Sequence, residues 1–137
     1  MFPPETVFLV VDDMPTMREL VKAQLNSLGY FEILEAEDGE KALNKFLEAQ
    51  NGAKPVGVII SDWNMPHVSG LDFLKQIRGN PQFQNIPFIL LTSESEKEQV
   101  TEAVINGVSQ YIVKPFQPKT LEEKLRFVWL KHSKKPK

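Results

Sequence analysis

The sequence predicts an α/β domain: a doubly wound, five-stranded parallel sheet with helices on both faces. Short apolar runs recur at residues 6–11, 31–36, 58–61, 86–91 and 110–113, without polar alternation. Such runs read as strands covered on both sides. Segments with apolar residues at helical spacing lie between them and after the last. Strict alternation of the two kinds means right-handed crossovers and one parallel sheet.

The first run, Thr-Val-Phe-Leu-Val-Val, is closed by Asp12-Asp13. Thr16-Met17-Arg18-Glu19 has the form of a capping box, in which a hydroxyl and a glutamate satisfy free amides at a helix start. Met17, Leu20, Val21, Leu25 and Leu28 supply that helix's apolar stripe, and Gly29 stops it. After the second strand, Asp38-Gly39 turns the chain into a helix with Ala42, Leu43, Phe46 and Leu47 inward. The loop Asn51-Gly52-Ala53-Lys54-Pro55 leads to the third strand, which ends on Asp62. Leu71, Leu74 and Ile77 mark the third helix, stopped around Gly79-Asn80-Pro81. The fourth strand terminates at Thr92-Ser93, and residues 93–98 read as a capped, solvated helix start. Val100, Ala103 and Val104 form a helical stripe ending at Gly107, and the fifth strand runs straight into Lys114-Pro115. A second capping box, Thr120-Leu121-Glu122-Glu123, opens the last helix, lined by Leu121, Leu125, Val128 and Trp129.

A chain of 137 residues with 42% hydrophobic and 25% charged residues suits one globular domain with a sizeable core. Neither a repeat nor a linker divides it. No apolar run approaches the roughly 20 residues that span a bilayer. The first residues lack the basic start and apolar core of a signal peptide. The absence of cysteine excludes disulfides, thiolate metal sites and thiol catalysis. The expectation is a cytoplasmic protein without membrane insertion. A formal charge of −2 gives no reason to expect nucleic-acid binding. Only residues 132–137 are distinctly basic, and they read as a solvated tail behind a domain covering 1–131.

Function concentrates at strand ends. In a parallel sheet all C-terminal strand ends share one edge, where such folds place their ligands. Asp12, Asp13, Asp62, Thr92 and Lys114 fall there. Three carboxylates at about 5 Å spacing repel by roughly 3 kcal/mol per pair at an effective dielectric of about 20. Lys114 offsets part of this, and a hard divalent ion such as Mg²⁺ is the natural second cation. An aspartate can attack phosphorus to give an acyl phosphate. The phosphoryl oxygens then need the metal, Lys114 and the Thr92 hydroxyl. Singly, each residue has a plainer reading as turn former, cap or surface lysine. Their joint placement carries the inference. His67 and His132 lack partners at metal-binding spacing and read as surface residues.

The stretches Phe8-Leu-Val-Val-Asp-Asp13, Glu35-Ala-Glu-Asp-Gly39, Ser61-Asp-Trp-Asn-Met-Pro66, Gly70-Leu71, Thr92-Ser93, Tyr111, Lys114-Pro115-Phe116 and Thr120-Leu-Glu-Glu-Lys-Leu125 resemble the receiver domain of two-component response regulators. Nearly the whole chain is covered, and the stand-alone chemotaxis type matches best. The resemblance implies a flavodoxin-like winding with strand order 2-1-3-4-5. It implies that Asp62 accepts a phosphoryl group from a histidine kinase's phosphohistidine. Asp12, Asp13, Asp62 and the Asn64 carbonyl would serve Mg²⁺, Asp12 through water. Lys114, preceding a cis proline bond, and Thr92 would contact the phosphoryl group, and Tyr111 would turn inward. Lys97, Tyr111, Phe116 and Lys124 match partner-contacting positions, while Asn64 and Glu94 match positions that tune dephosphorylation. The implied partners are a chemotaxis-type histidine kinase, a flagellar motor switch protein or another downstream protein, and a phosphatase. A monomer is expected before phosphorylation, with no output domain.

Departures from the family pattern lie at Met14-Pro15, the 51–55 loop, His67-Val68-Ser69, Ser95 and Glu96. An alternative reading is a Mg²⁺-dependent phosphatase or phosphotransferase using an aspartyl phosphate on small molecules. Such enzymes typically need a second acid just beyond the nucleophile, where Asn64 stands, and a cap for which no insertion is present. A flavin module is a third, but no phosphate-cradling loop follows the first strand.

Overall fold

The computed structural model describes residues 1–93 and 97–133. Its elements are β1 (Val7–Val11), α1 (Pro15–Ser27), β2 (Ile33–Ala36), α2 (Gly39–Gln50), β3 (Val56–Asp62), α3 (Gly70–Arg78), a 3-10 turn (Pro81–Phe83), β4 (Phe88–Thr92), α4 (Lys97–Ile105), β5 (Gln110–Val113) and α5 (Pro118–Ser133). All strands pair in parallel in the order β2-β1-β3-β4-β5, as the resemblance implies.

Side chains along each strand alternate between two cores, because successive Cβ atoms point to opposite faces. Leu9, Val11, Ile59, Phe88 and Leu90 face Ala42 and Phe46 of α2, Phe73, Leu74 and Ile77 of α3, and Ala103 of α4. Phe8, Val10, Val58, Ile60, Ile89, Leu91 and Ile112 face Val21 and Leu25 of α1 and Leu121, Leu125 and Val128 of α5. The central strands therefore lack polar alternation because both faces are dry.

Two helix starts differ from the sequence reading, and proline is the reason in both. Helix α1 begins at Pro15, and its N-cap Met14 makes no side-chain cap bond. Proline presets helical φ where no N–H is needed and holds the preceding residue extended. Thr16 and Glu19 therefore lie inside the helix instead of boxing its start. Thr120 likewise falls within α5, which starts at Pro118. The expected strand at 31–36 begins only at Ile33, and Phe31 is 68% exposed.

The stops are as read. Gly29, at φ +95°, follows α1. Tyr30 N–H returns to Leu25 O and Gly29 N–H to Asn26 O, the bonds of a left-handed cap. Gly107, at φ +88°, ends α4 in the same way, with Val108 N–H on Ala103 O.

Candidate functional site

Register brings the functional residues to one edge. Val11 pairs with Ser61, Asp62 with Leu91 and Thr92 with Val113. Backbone bonds continue past the strand ends: Asp12 N–H to Ala36 O (3.1 Å), Trp63 N–H to Leu91 O (3.0 Å) and Lys114 N–H to Thr92 O (2.7 Å). Asp12 thus sits beside Asp62, and Thr92 beside Lys114.

Carboxylate oxygens of Asp12, Asp13 and Asp62 lie within 4.8 Å of one another. Asp12 is 1% exposed and Asp62 5%, whereas Asp13 is open to solvent. Beyond Asp13 the crevice widens into a pocket of about 530 Å³ lined by Glu37, Asp38, Glu40, Lys41, Pro66 and His67. Lys114 Nζ donates to Asp62 Oδ1 at 2.7 Å. Thr92 is buried at the end of β4, and the Lys114–Pro115 bond is cis.

Burial pushes the Asp12 carboxyl up to about 6; the Met14 amide opposes this, and the nearby charge of Asp62 adds to it. Met14 N–H occupies Asp12 Oδ1 at 2.9 Å, while Asp12 Oδ2 is buried without a hydrogen-bond partner. A buried, unsatisfied carboxylate oxygen is costly. Three clustered oxygen donors with one orphaned atom fit a hard divalent cation.

The loop after Asp62 is shaped by close approach. Gly70 N–H bonds Trp63 O at 2.8 Å, and a Cβ on Gly70 would lie 2.1 Å from Asp62 O. Ser69 caps α3 through Asp72 N–H. His67 carries the turn at φ +68°. Asn64 is exposed beside the crevice, and Trp63 is buried in the α2/α3-side core.

On the α4-β5-α5 face, Tyr111 is half-buried, with Lys124 Nζ 5.3 Å from its ring centroid. Phe116, expected at a partner surface, is 8% exposed and packs in the α1/α5-side core. Its carbonyl accepts from Nε2 of the buried Gln24 at 3.2 Å. Glu94 and residues 134–137 lie outside the described residues, as does the side chain of Lys97. Arg18, Gln24 and the Met14 amide escaped the sequence reading, since each acts through contacts that composition and periodicity do not encode. The proline after Met14 was the one available signal for the last.

A carboxylate cluster fit for a hard cation, with a lysine bonded to its buried aspartate, thus stands at the strand-end edge of a doubly wound sheet. The model of the response regulator receiver domain matches residues 8–126, and the chain belongs to that family. It is 48% identical over 120 residues to chemotaxis protein CheY1 of Helicobacter pylori, covering 88% of this chain and 94% of that protein. It is 42% identical over 120 residues to a CheY homologue of Campylobacter jejuni, covering 88% and 89%. Among solved structures, CheY4 of Vibrio cholerae aligns with TM-score 0.77 and 38% identity, over 90% of this chain and 98% of that one. The chain is a two-component receiver domain with chemotaxis relatives. No described helix is long and apolar enough to cross a membrane.

Proposed function

We propose that this chain is a phosphoswitch of chemotaxis signalling. Asp62 takes a phosphoryl group from a phosphohistidine of a chemotaxis-type histidine kinase. The observation that carries this is the 2.7 Å bond from Lys114 Nζ to Asp62 Oδ1, set beside the Asp12/Asp13 cluster. Nucleophile, fixed cation and hard-metal donors share one crevice.

A carboxylate oxygen of Asp62 attacks phosphorus. The new P–O bond forms as the P–N bond breaks, and the electron pair returns to the imidazole nitrogen. Lys114 then shifts its bond from the carboxylate to a phosphoryl oxygen, and the Thr92 hydroxyl donates to another. Asp12, Asp13, Asp62 and the Asn64 carbonyl would hold Mg²⁺, which when bound supplies neutralising charge for the phosphoryl oxygens. Asn64 and Glu94 set how readily water reaches the acyl phosphate.

Phosphorylation shifts the population between two packings of one face, because its new hydrogen bonds exist in only one of them. Tyr111 turns inward, and Lys97, Tyr111 and Lys124 present the α4-β5-α5 face, with Phe116 packed behind it, to a flagellar motor switch protein or another downstream protein. A phosphatase ends the signal. The protein acts in the cytoplasm as a monomer before phosphorylation, through the domain at 1–131.

The test follows tryptophan emission in a Trp129→Phe background, where the buried Trp63 indole next to Asp62 reports. Mg²⁺ and then acetyl phosphate should each change the signal. Asp62→Asn should abolish the second change. A response to acetyl phosphate undiminished in Asp62→Asn would refute the assignment.

A further inference from the structure

Asp12 has four polar atoms, and the fold commits three. Its N–H donates to Ala36 O at 3.1 Å. Its carbonyl accepts from Arg18 Nη1 at 2.7 Å, and Oδ1 accepts from Met14 N–H at 2.9 Å. Only Oδ2 is left, buried and without a hydrogen-bond partner. An aspartate fixed at three points cannot rotate its last oxygen to a better partner.

Arg18 closes this arrangement from outside the cluster. Its Nε donates to Glu35 Oε1 at 3.1 Å, and Lys22 Nζ takes Glu35 Oε2 at 2.9 Å. Lys45 of α2 donates to the Glu35 carbonyl. The bonds from Lys22, which contributes most, and from Arg18 lower the Glu35 carboxyl against the opposing effect of burial, so it stays ionised beside Arg18. The guanidinium can therefore grip the Asp12 main chain while its charge is answered by Glu35 instead of repelling a cation nearby. Its planar fork presents Nε and Nη1 to the two partners in a fixed geometry, which a flexible ammonium does not impose.

We propose that Arg18 is a positioning residue for the metal site, holding the Asp12–Met14 turn so that the one uncommitted Asp12 oxygen stays available to a divalent cation. The inference rests on the metal-dependent reading above. It assigns Arg18 no contact with metal or phosphate.

The experiment titrates Mg²⁺ into metal-free wild type, Arg18→Met and Arg18→Lys, following Trp63 emission. Amide hydrogen exchange at Asp13 and Met14 is measured without metal. Arg18→Met should bind Mg²⁺ about tenfold more weakly, the lower range for residues that orient ligands, and its Met14 amide should exchange faster. Arg18→Lys should fall between the two and carries the test if Arg18→Met does not fold. Wild-type affinity in both variants, or a lowered melting temperature with affinity unchanged, would overturn the inference and leave the phosphoswitch reading standing. A wild-type protein that binds no Mg²⁺ would overturn both.

Discussion

Lys114 and Asp62, separated by 52 positions, meet at 2.7 Å between Nζ and Oδ1. The juxtaposition is made by two strands, β3 and β5, that both flank β4. The pair is unequal in exposure, 24% for the lysine side chain and 7% for the aspartate. Lys114→Met should therefore leave a mostly buried carboxylate short of its charged donor. We expect a loss of roughly 1–3 kcal/mol in urea unfolding. Phosphorylation by acetyl phosphate should slow by about 100-fold, the usual cost of removing one donor aimed at developing charge. Stopped-flow emission of Trp63 measures the rate.

Asp12 makes metal-free stability depend on pH. Its folded carboxyl titrates at about 6 instead of 3.8, mainly through burial. A raised pKa means that the folded chain disfavours the ionised form. The stability this group contributes is full below its ordinary value and is lost as pH rises through about 6. Melting temperatures in chelator should show this loss in wild type and not in Asp12→Asn. At neutral pH the variant should melt higher, by roughly 3–5 °C for each kcal/mol gained. Added Mg²⁺ should raise the wild type far more than the variant, since binding to the folded state alone stabilises it.

Gly70 is required by the chain's return over the strand end. A Cβ there would sit 2.1 Å from Asp62 O and 2.9 Å from a Leu90 methyl. Backbone at that distance cannot yield without moving Asp62. Gly70→Ala should cost on the order of 3 kcal/mol or more. Any folded fraction should show reduced phosphorylation as well as a lower urea midpoint. Gly52→Ala, whose nearest neighbour would be 3.5 Å away, is the control and should leave phosphorylation unchanged.

Arg78 supports the opposite edge. It donates to Gly107 O (2.9 Å), Phe83 O (2.9 Å) and Ile86 O (2.7 Å), binding the ends of α4 and the 3-10 turn to the entry of β4. Burial pushes its guanidinium down to about 10. Arg78→Met should destabilise the domain by about 2–4 kcal/mol, since three carbonyls each lose a charged donor, Phe83 O keeping the Ile86 N–H. Mg²⁺ affinity should be unchanged, because the site lies at the other edge of the sheet. Denaturation and Mg²⁺ titration of the same variant separate the two effects.

What the sequence revealed follows from the kind of sheet it encodes. Runs such as Leu9-Val10-Val11 and Ile59-Ile60 are apolar because both faces are packed, so strands and their carboxylate-bearing ends were legible together. Where one local signal competed with another, the reading failed. Thr16 and Thr120 look like caps until Pro15 and Pro118 are recognised as the stronger start signals. Phe31 extends an apolar run but lies outside the sheet. Long-range polar contacts were not legible at all: nothing local links Gln24 to Phe116, 92 positions away, or Arg18 to the Asp12 carbonyl. Phe116 shows the same limit, since its burial depends on α1 packing beside it.

The phosphoacceptor role proposed for Asp62 can be tested on the protein itself. The most direct measurement is intact-mass analysis after incubation with acetyl phosphate and Mg²⁺, followed by peptide mapping, on wild type and Asp62→Asn. The wild type should gain one phosphoryl group. That group should be labile to hydroxylamine, map to the peptide containing Asp62, and be lost with chelator or in the variant. A phosphoryl group of the same stoichiometry and lability in Asp62→Asn would contradict that role.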